Sequence, residues 1–173
     1  MEKWDVYDGQ GILTGKIKNE NDAFLDNEYH LGASLWIINK NRNLLIQKRA
    51  QTKRTNPGKW SITGGAAKAG ENSENACVRE VYEEIGLKLK PEDIKLLYRS
   101  FGKKIIFDDY VIIYDLSLAD LVLQAEEVTE VKWAGIDEIK DLFSKGMFMF
   151  DDISELDKVI GYMDANLQLL DIL

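Results

Sequence analysis

Residues 29–39, YHLGASLWIIN, form a nearly continuous apolar run, the pattern of a strand covered on both faces. The polar turn KNRN leads into LLIQKRA at 44–50, a second strand predicted to alternate between a buried and an exposed face. A polar loop, QTKRTNPGK, precedes WSITGG. The period then changes from two to between three and four. Cys77, Val78, Val81, Tyr82 and Ile85 fall on one side of a helix predicted over residues 73–85. Asn72 is placed to cap its start and Gly86 to end it. IKLLYRSF and KKIIFDDYVIIYDLSL predict an antiparallel pair joined near Gly102. VKWAGI is a short strand and DEIKDLFSKG a helix starting at Asp137. At the front, KWDVYDGQGILTGKI predicts a β-hairpin over about 3–18, turning at Gly9–Gly11. The tail has helical spacing over about 152–170 and is expected to pack on the sheet. Strands interleaved with a few helices predict an α/β fold, with a mixed sheet and helices on both faces.

Composition narrows the class. At 173 residues a single domain spanning 1–173 is expected. No window holds 18 consecutive apolar residues, so no membrane span is predicted, and no secretory leader is expected at MEKWDVYDGQ. A lone cysteine, Cys77, excludes an internal disulfide and suits a cytoplasmic setting. The formal net charge of −8 disfavours nucleic-acid polymers and anionic membranes as partners. A small phosphorylated substrate stays compatible with it.

Charge distribution poses the chemical question. Glu80, Glu83 and Glu84 share a helical arc of about 100° opposite the apolar side. Like charges at these spacings repel, and Arg79 is the one basic residue bordering the arc. A solvated acidic face accommodates such a run. A cluster of hard oxygen ligands for Mg²⁺ or Mn²⁺ does so equally, above all if a phosphate completes the shell.

The surrounding residues favour the second possibility. Gly65, Glu71, Arg79, Glu80, Val81, Glu83, Glu84, Gly86 and Leu87 fit, without a gap, G-x5-E-x7-R-E-U-x-E-E-x-G-U, where U is a bulky aliphatic residue. A chance match at a given start is on the order of one in a billion. This is the Nudix box, at 65–87, and the chain resembles a Nudix hydrolase. The resemblance implies an α/β/α sandwich and hydrolysis of a nucleoside diphosphate linked to another moiety, with water attacking phosphorus. It implies that Glu80, Glu83, Glu84 and the carbonyl of Gly65 hold Mg²⁺ or Mn²⁺, that Glu71 and Arg79 brace the loop, and that Gly86 ends the helix. A later-loop carboxylate often joins the metal shell or acts as general base in this family, which points to Glu127 ahead of Glu126; Glu80 is an alternative base. Dimers are common among such proteins, so a homodimer is an open expectation.

Outside the box, WDVYDGQGILTG, EYHLGASLWIIN, LLIQKRAQTKRTNPGKW and EEVTEVKW resemble type I isopentenyl-diphosphate isomerase. That family needs a cysteine before a His-Pro pair, several metal-binding histidines and a strand glutamate. Here TGGAAK stands where the cysteine belongs, His30 is the single histidine, and Asp108 and Tyr110 lie near the glutamate positions. Isomerase chemistry is therefore disfavoured. A nucleotide-binding module without catalysis is disfavoured by the intact glutamates, and a purely structural acidic helix by the gapless box.

The remaining candidates lie in loops. KRAQTKRTNPGK concentrates Lys48, Arg49, Lys53, Arg54 and Lys59; Arg49 and Lys53 are the best placed to receive phosphates. Cys77 and Trp36 are expected in the core with Trp133. Trp60 is expected beneath the box, and Met147 to Phe150 beside the substrate or at a dimer surface.

Overall fold

The computed structural model describes residues 2–149 and 152–167. Strand β3 (His30–Ile38) is the axis of a seven-stranded mixed sheet that also holds β4 (Leu44–Arg49), β5 (Trp60–Ser61), β6 (Thr63–Ala66), β7 (Lys95–Phe101), β8 (Ile105–Ile113) and β9 (Val128–Ala134). It runs parallel to β8 along its length, His30 opposite Ile105 and Ile38 opposite Ile113. Its first half pairs with β6 and its last residue with β4. β4 carries β5 and β9, and β7 forms the edge beyond β8. A separate hairpin, β1 (Lys3–Tyr7) and β2 (Leu13–Asn19), is fastened to the front of β3 by reciprocal Tyr7–Tyr29 backbone bonds of 2.8 and 2.9 Å.

Helices cover both faces, and this explains the apolar run. Leu31, Ala33, Leu35 and Ile37 point into one layer with Cys77, Val81 and Ile85 of α1 (Ser73–Ile85). Trp36 and Ile38 point into the other, against α2 (Ile136–Ser144) and α3 (Ser154–Leu167). The alternation expected of 44–50 does not hold. Leu45 enters the first layer while Leu44 and Ile46 enter the second, so β4 is buried on both sides until its last two residues.

Other departures are local. α2 starts at Ile136, capped by Gly135, one residue ahead of the predicted Asp137. α3 starts at Ser154, whose N–H donates to the Asp152 carboxylate over 2.9 Å; the expected extension to 170 falls outside the described residues. Trp60 packs not beneath the box but in the opposite layer, with the Lys132 ammonium 4.2 Å from its ring. Trp133 is only partly buried. Phe148 is in the core while Met147 and Met149 are exposed, and Phe150 lies outside the described residues.

Candidate functional site

The loop and helix of residues 65–87 are held by their own side chains. Asn72 accepts from the Asn75 N–H at 2.9 Å, capping α1, and Gly86 closes it with a left-handed φ of 74°. Between them Arg79 acts as a strut. Its Nε and Nη2 donate to the two oxygens of Glu71, each at 2.9 Å, and Nη2 also reaches the Ala66 carbonyl at 3.0 Å. Nη1 takes Glu80 at 2.6 Å and Glu83 at 3.1 Å. Glu71 is also tied to its own loop by the Lys68 N–H at 3.0 Å. One guanidinium thus fixes the loop to the helix and bonds two of the three clustered carboxylates, its single positive charge shared between them and Glu71.

Glu84 does not lie beside Glu80 and Glu83 on the Arg79 side, as helical spacing had suggested. It is buried between α1, β4 and β6, where a single oxygen accepts from Gln47 Nε2 at 2.8 Å, Thr63 Oγ1 at 2.7 Å and the Gly64 N–H at 3.1 Å. All three donors are neutral. Burial therefore raises the Glu84 pKa, and the charge of Glu127 adds to the effect. Burial likewise pushes Glu80 up to about 7 against the pull of Arg79. Two acids are kept out of water without enough positive charge to offset the cost.

These residues line a cleft of about 510 Å³. Glu80, Glu83, Glu84 and Gly64–Ala66 make one wall; Arg49, Lys53 and Thr55 stand on another; Gln124 and Glu127 close the end. Lys53 and Glu127 pair at 2.5 Å, and Arg49 Nε donates to the Thr55 carbonyl at 3.3 Å. Glu126 and Arg54 are exposed, Lys48 and Lys59 are half-buried, and none of the four lines the cleft. Among the described residues no three acids, histidines or cysteines cage a metal by themselves, since Glu80 and Glu83 are turned onto Arg79. The donor set nonetheless fits a hard divalent cation: carboxylate oxygens, one of them buried among neutral donors, and a glycine whose missing side chain makes room. A Cβ on Gly65 would lie 2.5 Å from Glu80 Cδ.

Comparison with known proteins assigns the family. The NUDIX domain model matches residues 28–150. The chain belongs to the Nudix family. An uncharacterized Nudix hydrolase of Listeria monocytogenes is 36% identical over 151 residues, 86% of this chain and 89% of that protein. An isopentenyl-diphosphate Delta-isomerase of Escherichia coli is 27% identical over 90% of this chain and 93% of its own. In three dimensions the Deinococcus radiodurans protein DR0079 superposes with a TM-score of 0.74 at 19% identity, covering 90% of this chain and 96% of that one. The protein is thus a Nudix hydrolase with isomerase kin.

The TGGAAK segment, where an isomerase cysteine belongs, lines this cleft with Gly64–Ala66, whereas Cys77, His30, Asp108 and Tyr110 are not among the lining residues. Cys77 is fully buried, with Sγ 3.5 Å from the Ser34 carbonyl, and burial pushes its thiol well up from its ordinary pKa. Asp108 is buried and clamped by Arg99 at 2.6 and 2.8 Å, and Tyr110 shares a 2.7 Å hydrogen bond with Ser73. His30 is stacked under Trp4 at 4.3 Å, and burial lowers it to about 4, so it is neutral at pH 7.

Sequence reasoning missed the residues that hold Glu84, and those that the hairpin brings to the cleft, Glu2, Trp4 and Glu20. Gln47, a polar residue inside an apolar strand, was a readable signal of the first. Nothing in the local pattern signalled the second.

Proposed function

We propose that this Nudix hydrolase cleaves a diphosphate bond in a nucleoside diphosphate derivative or related small compound, by attack of water on phosphorus. Glu80, Glu83, Glu84 and the Gly65 carbonyl would hold Mg²⁺ or Mn²⁺. The observation that carries the reading is the convergence of Glu80, Glu83, Glu84 and Glu127 with two cations, Arg49 and Lys53, on one cleft. Bound there, such an ion neutralises the diphosphate and lowers the pKa of water.

The chain's own groups divide the remaining work. Arg49 and Lys53 receive phosphate oxygens, the first by a planar fork and the second as a point charge. Lys53 is engaged by Glu127 in the resting state; exchanging that partner for a phosphate frees the carboxylate. Glu127 then takes the proton from water as the new P–O bond forms and the anhydride P–O bond breaks. Glu84, pinned by three donors, is a rigid ligand. Glu71 and Arg79 hold the loop in register. A cytoplasmic setting and a substrate other than a nucleic-acid polymer go with this reading.

The test is a product screen with Mg²⁺ or Mn²⁺ over nucleoside di- and triphosphates, dinucleotides, nucleotide sugars, coenzyme A and isopentenyl diphosphate. Metal-dependent cleavage that falls by orders of magnitude in a folded Glu83→Gln variant is expected. Near-normal turnover by that variant removes the metal role, and isomerised isopentenyl diphosphate overturns the reaction class.

A further inference from the structure

The third wall of the cleft comes from outside the matched family span, which begins at residue 28. Glu2, Trp4 and Glu20 reach it from the N-terminal hairpin, and that hairpin is fastened to the catalytic loop. The Ala69 N–H donates to the Lys3 carbonyl at 2.8 Å, and the Gly70 N–H to the Asp5 carboxylate at 2.6 Å. Lys68 bridges Glu2 and Glu83, each at 3.5 Å. Trp4 sits between these two anchors, so its placement is coupled to the loop that carries Gly65. Its indole lies nearly parallel to the neutral His30 ring, 19° between planes, and Phe24 packs against both at 6.3 and 5.5 Å. A half-buried, stiffly backed aromatic surface is a stacking platform, and ordering a ligand on it needs no rearrangement of the side chain.

Two carboxylates stand in the same wall. Six of the residues lining the cleft are glutamates and two are cationic. A metal ion and the Arg49–Lys53 pair are matched to one diphosphate, leaving Glu2 and Glu20 to face whatever lies beyond it. Carboxylates repel a further phosphate and accept from N–H groups.

We propose that Trp4, Glu2 and Glu20 form the subsite for the group beyond the diphosphate, and that this group is a planar nucleobase with an exocyclic amine. The inference rests on the diphosphate-hydrolase reading above. Trp4 stacks the ring, Glu20 accepts from the amine, and Glu2, through Lys68, ties occupancy of the subsite to the catalytic loop.

Matched substrates test it. Cytidine- and adenosine-diphosphate derivatives are compared with their uridine and inosine counterparts, carrying the same second moiety, for the wild type, Trp4→Phe, Trp4→Leu and Glu20→Gln. The amine-bearing compounds are expected to show KM values lower by roughly tenfold. Trp4→Leu should raise KM on all base-bearing substrates by roughly tenfold or more, with the loss falling on KM rather than kcat, and Trp4→Phe should restore most of it. Glu20→Gln should narrow the gap between amine and carbonyl bases. No discrimination, no effect of Trp4→Leu in a protein with unchanged circular dichroism, or preference for base-free sugar or prenyl diphosphates overturns the subsite. If the wild type cleaves nothing, the hydrolase reading fails first. Calorimetric titration with CMP, UMP and ribose 5-phosphate then decides the subsite alone: equal binding of all three overturns it.

Discussion

Gly65→Ala separates the catalytic role of the box loop from its structural one. The backbone at Gly65 is not in the left-handed region that favours glycine, so alanine meets no conformational penalty there. What it meets is Glu80: the new methyl would lie 2.5 Å from Cδ and 2.7 Å from each carboxylate oxygen. Ordinary contact needs about 3.5 Å, so the carboxylate must retreat by about 1 Å. It is the end of a flexible chain, and swinging it outward costs the fold little, about 1 kcal/mol or less including a weakened Arg79 pair. For catalysis a 1 Å displacement of a positioned group costs on the order of a hundredfold, or about 2.7 kcal/mol of barrier. Urea denaturation and steady-state kinetics with Mg²⁺ measure the two effects independently, and Mn²⁺ titration followed by electron paramagnetic resonance reads the metal site directly. Gly64→Ala is the contrast. Its Cβ would strike the Ala33 carbonyl and come within 2.6 Å of Ser34 Cα, backbone atoms of β3 that cannot swing away, so stability falls first. A Gly65→Ala enzyme with wild-type kcat/KM and metal affinity would refute the placement of Glu80, and so would an activity loss explained by unfolding.

Three further outcomes follow from the same geometry. Glu84→Gln keeps an acceptor for Gln47, Thr63 and Gly64 while removing a buried charge, so the metal-free protein should melt no lower than wild type while turnover falls at least a hundredfold. Glu84→Ala should instead lose about 2–4 kcal/mol, because three buried donors are stranded; equal stability of the two variants in urea contradicts the hydrogen-bond account. Cys77→Ala should cost about 1–2 kcal/mol through the cavity it leaves and preserve kcat, whereas a stable but inactive protein would reinstate cysteine chemistry. On the opposite layer, burial pushes Asp109 up to about 6 despite its hydrogen bond from Ser34. The folded state then binds more protons than the unfolded chain from about pH 4 to pH 6, so this group's contribution is fully present below that window and is lost as pH rises through it. Relative to wild type, Asp109→Asn should gain about 1–3 kcal/mol between pH 4 and pH 7; a constant difference in denaturation midpoint across that range would show that Asp109 titrates normally.

Local chemistry determined much of this protein. The period of Cys77, Val81 and Ile85, the Asn72 cap and the Gly86 stop specify α1 because each acts within a few residues. The spacing of Glu71, Arg79, Glu80, Glu83 and Glu84 identifies the family for the same reason, since one loop and one helix carry the whole motif. The doubly covered β3 was equally legible, as a strand without a solvated face needs few polar residues. What depended on distant parts of the chain was not legible. The alternating letters of 44–50 resemble a half-exposed strand, yet β4 is buried on both faces because α1 and the α2–α3 pair cover the sheet from opposite sides. Helical spacing puts Glu84 beside Glu80 and Glu83, but Gln47 and Thr63, 37 and 21 residues away, draw its carboxylate into the interior. Trp4 and Glu20 belong to the cleft only because Tyr7 pairs with Tyr29 and the hairpin bonds to residues 69 and 70. A motif read along the chain fixes which groups can do chemistry; the long-range hydrogen bonds of the folded state decide which of them are dry, which are free to move and what stands opposite.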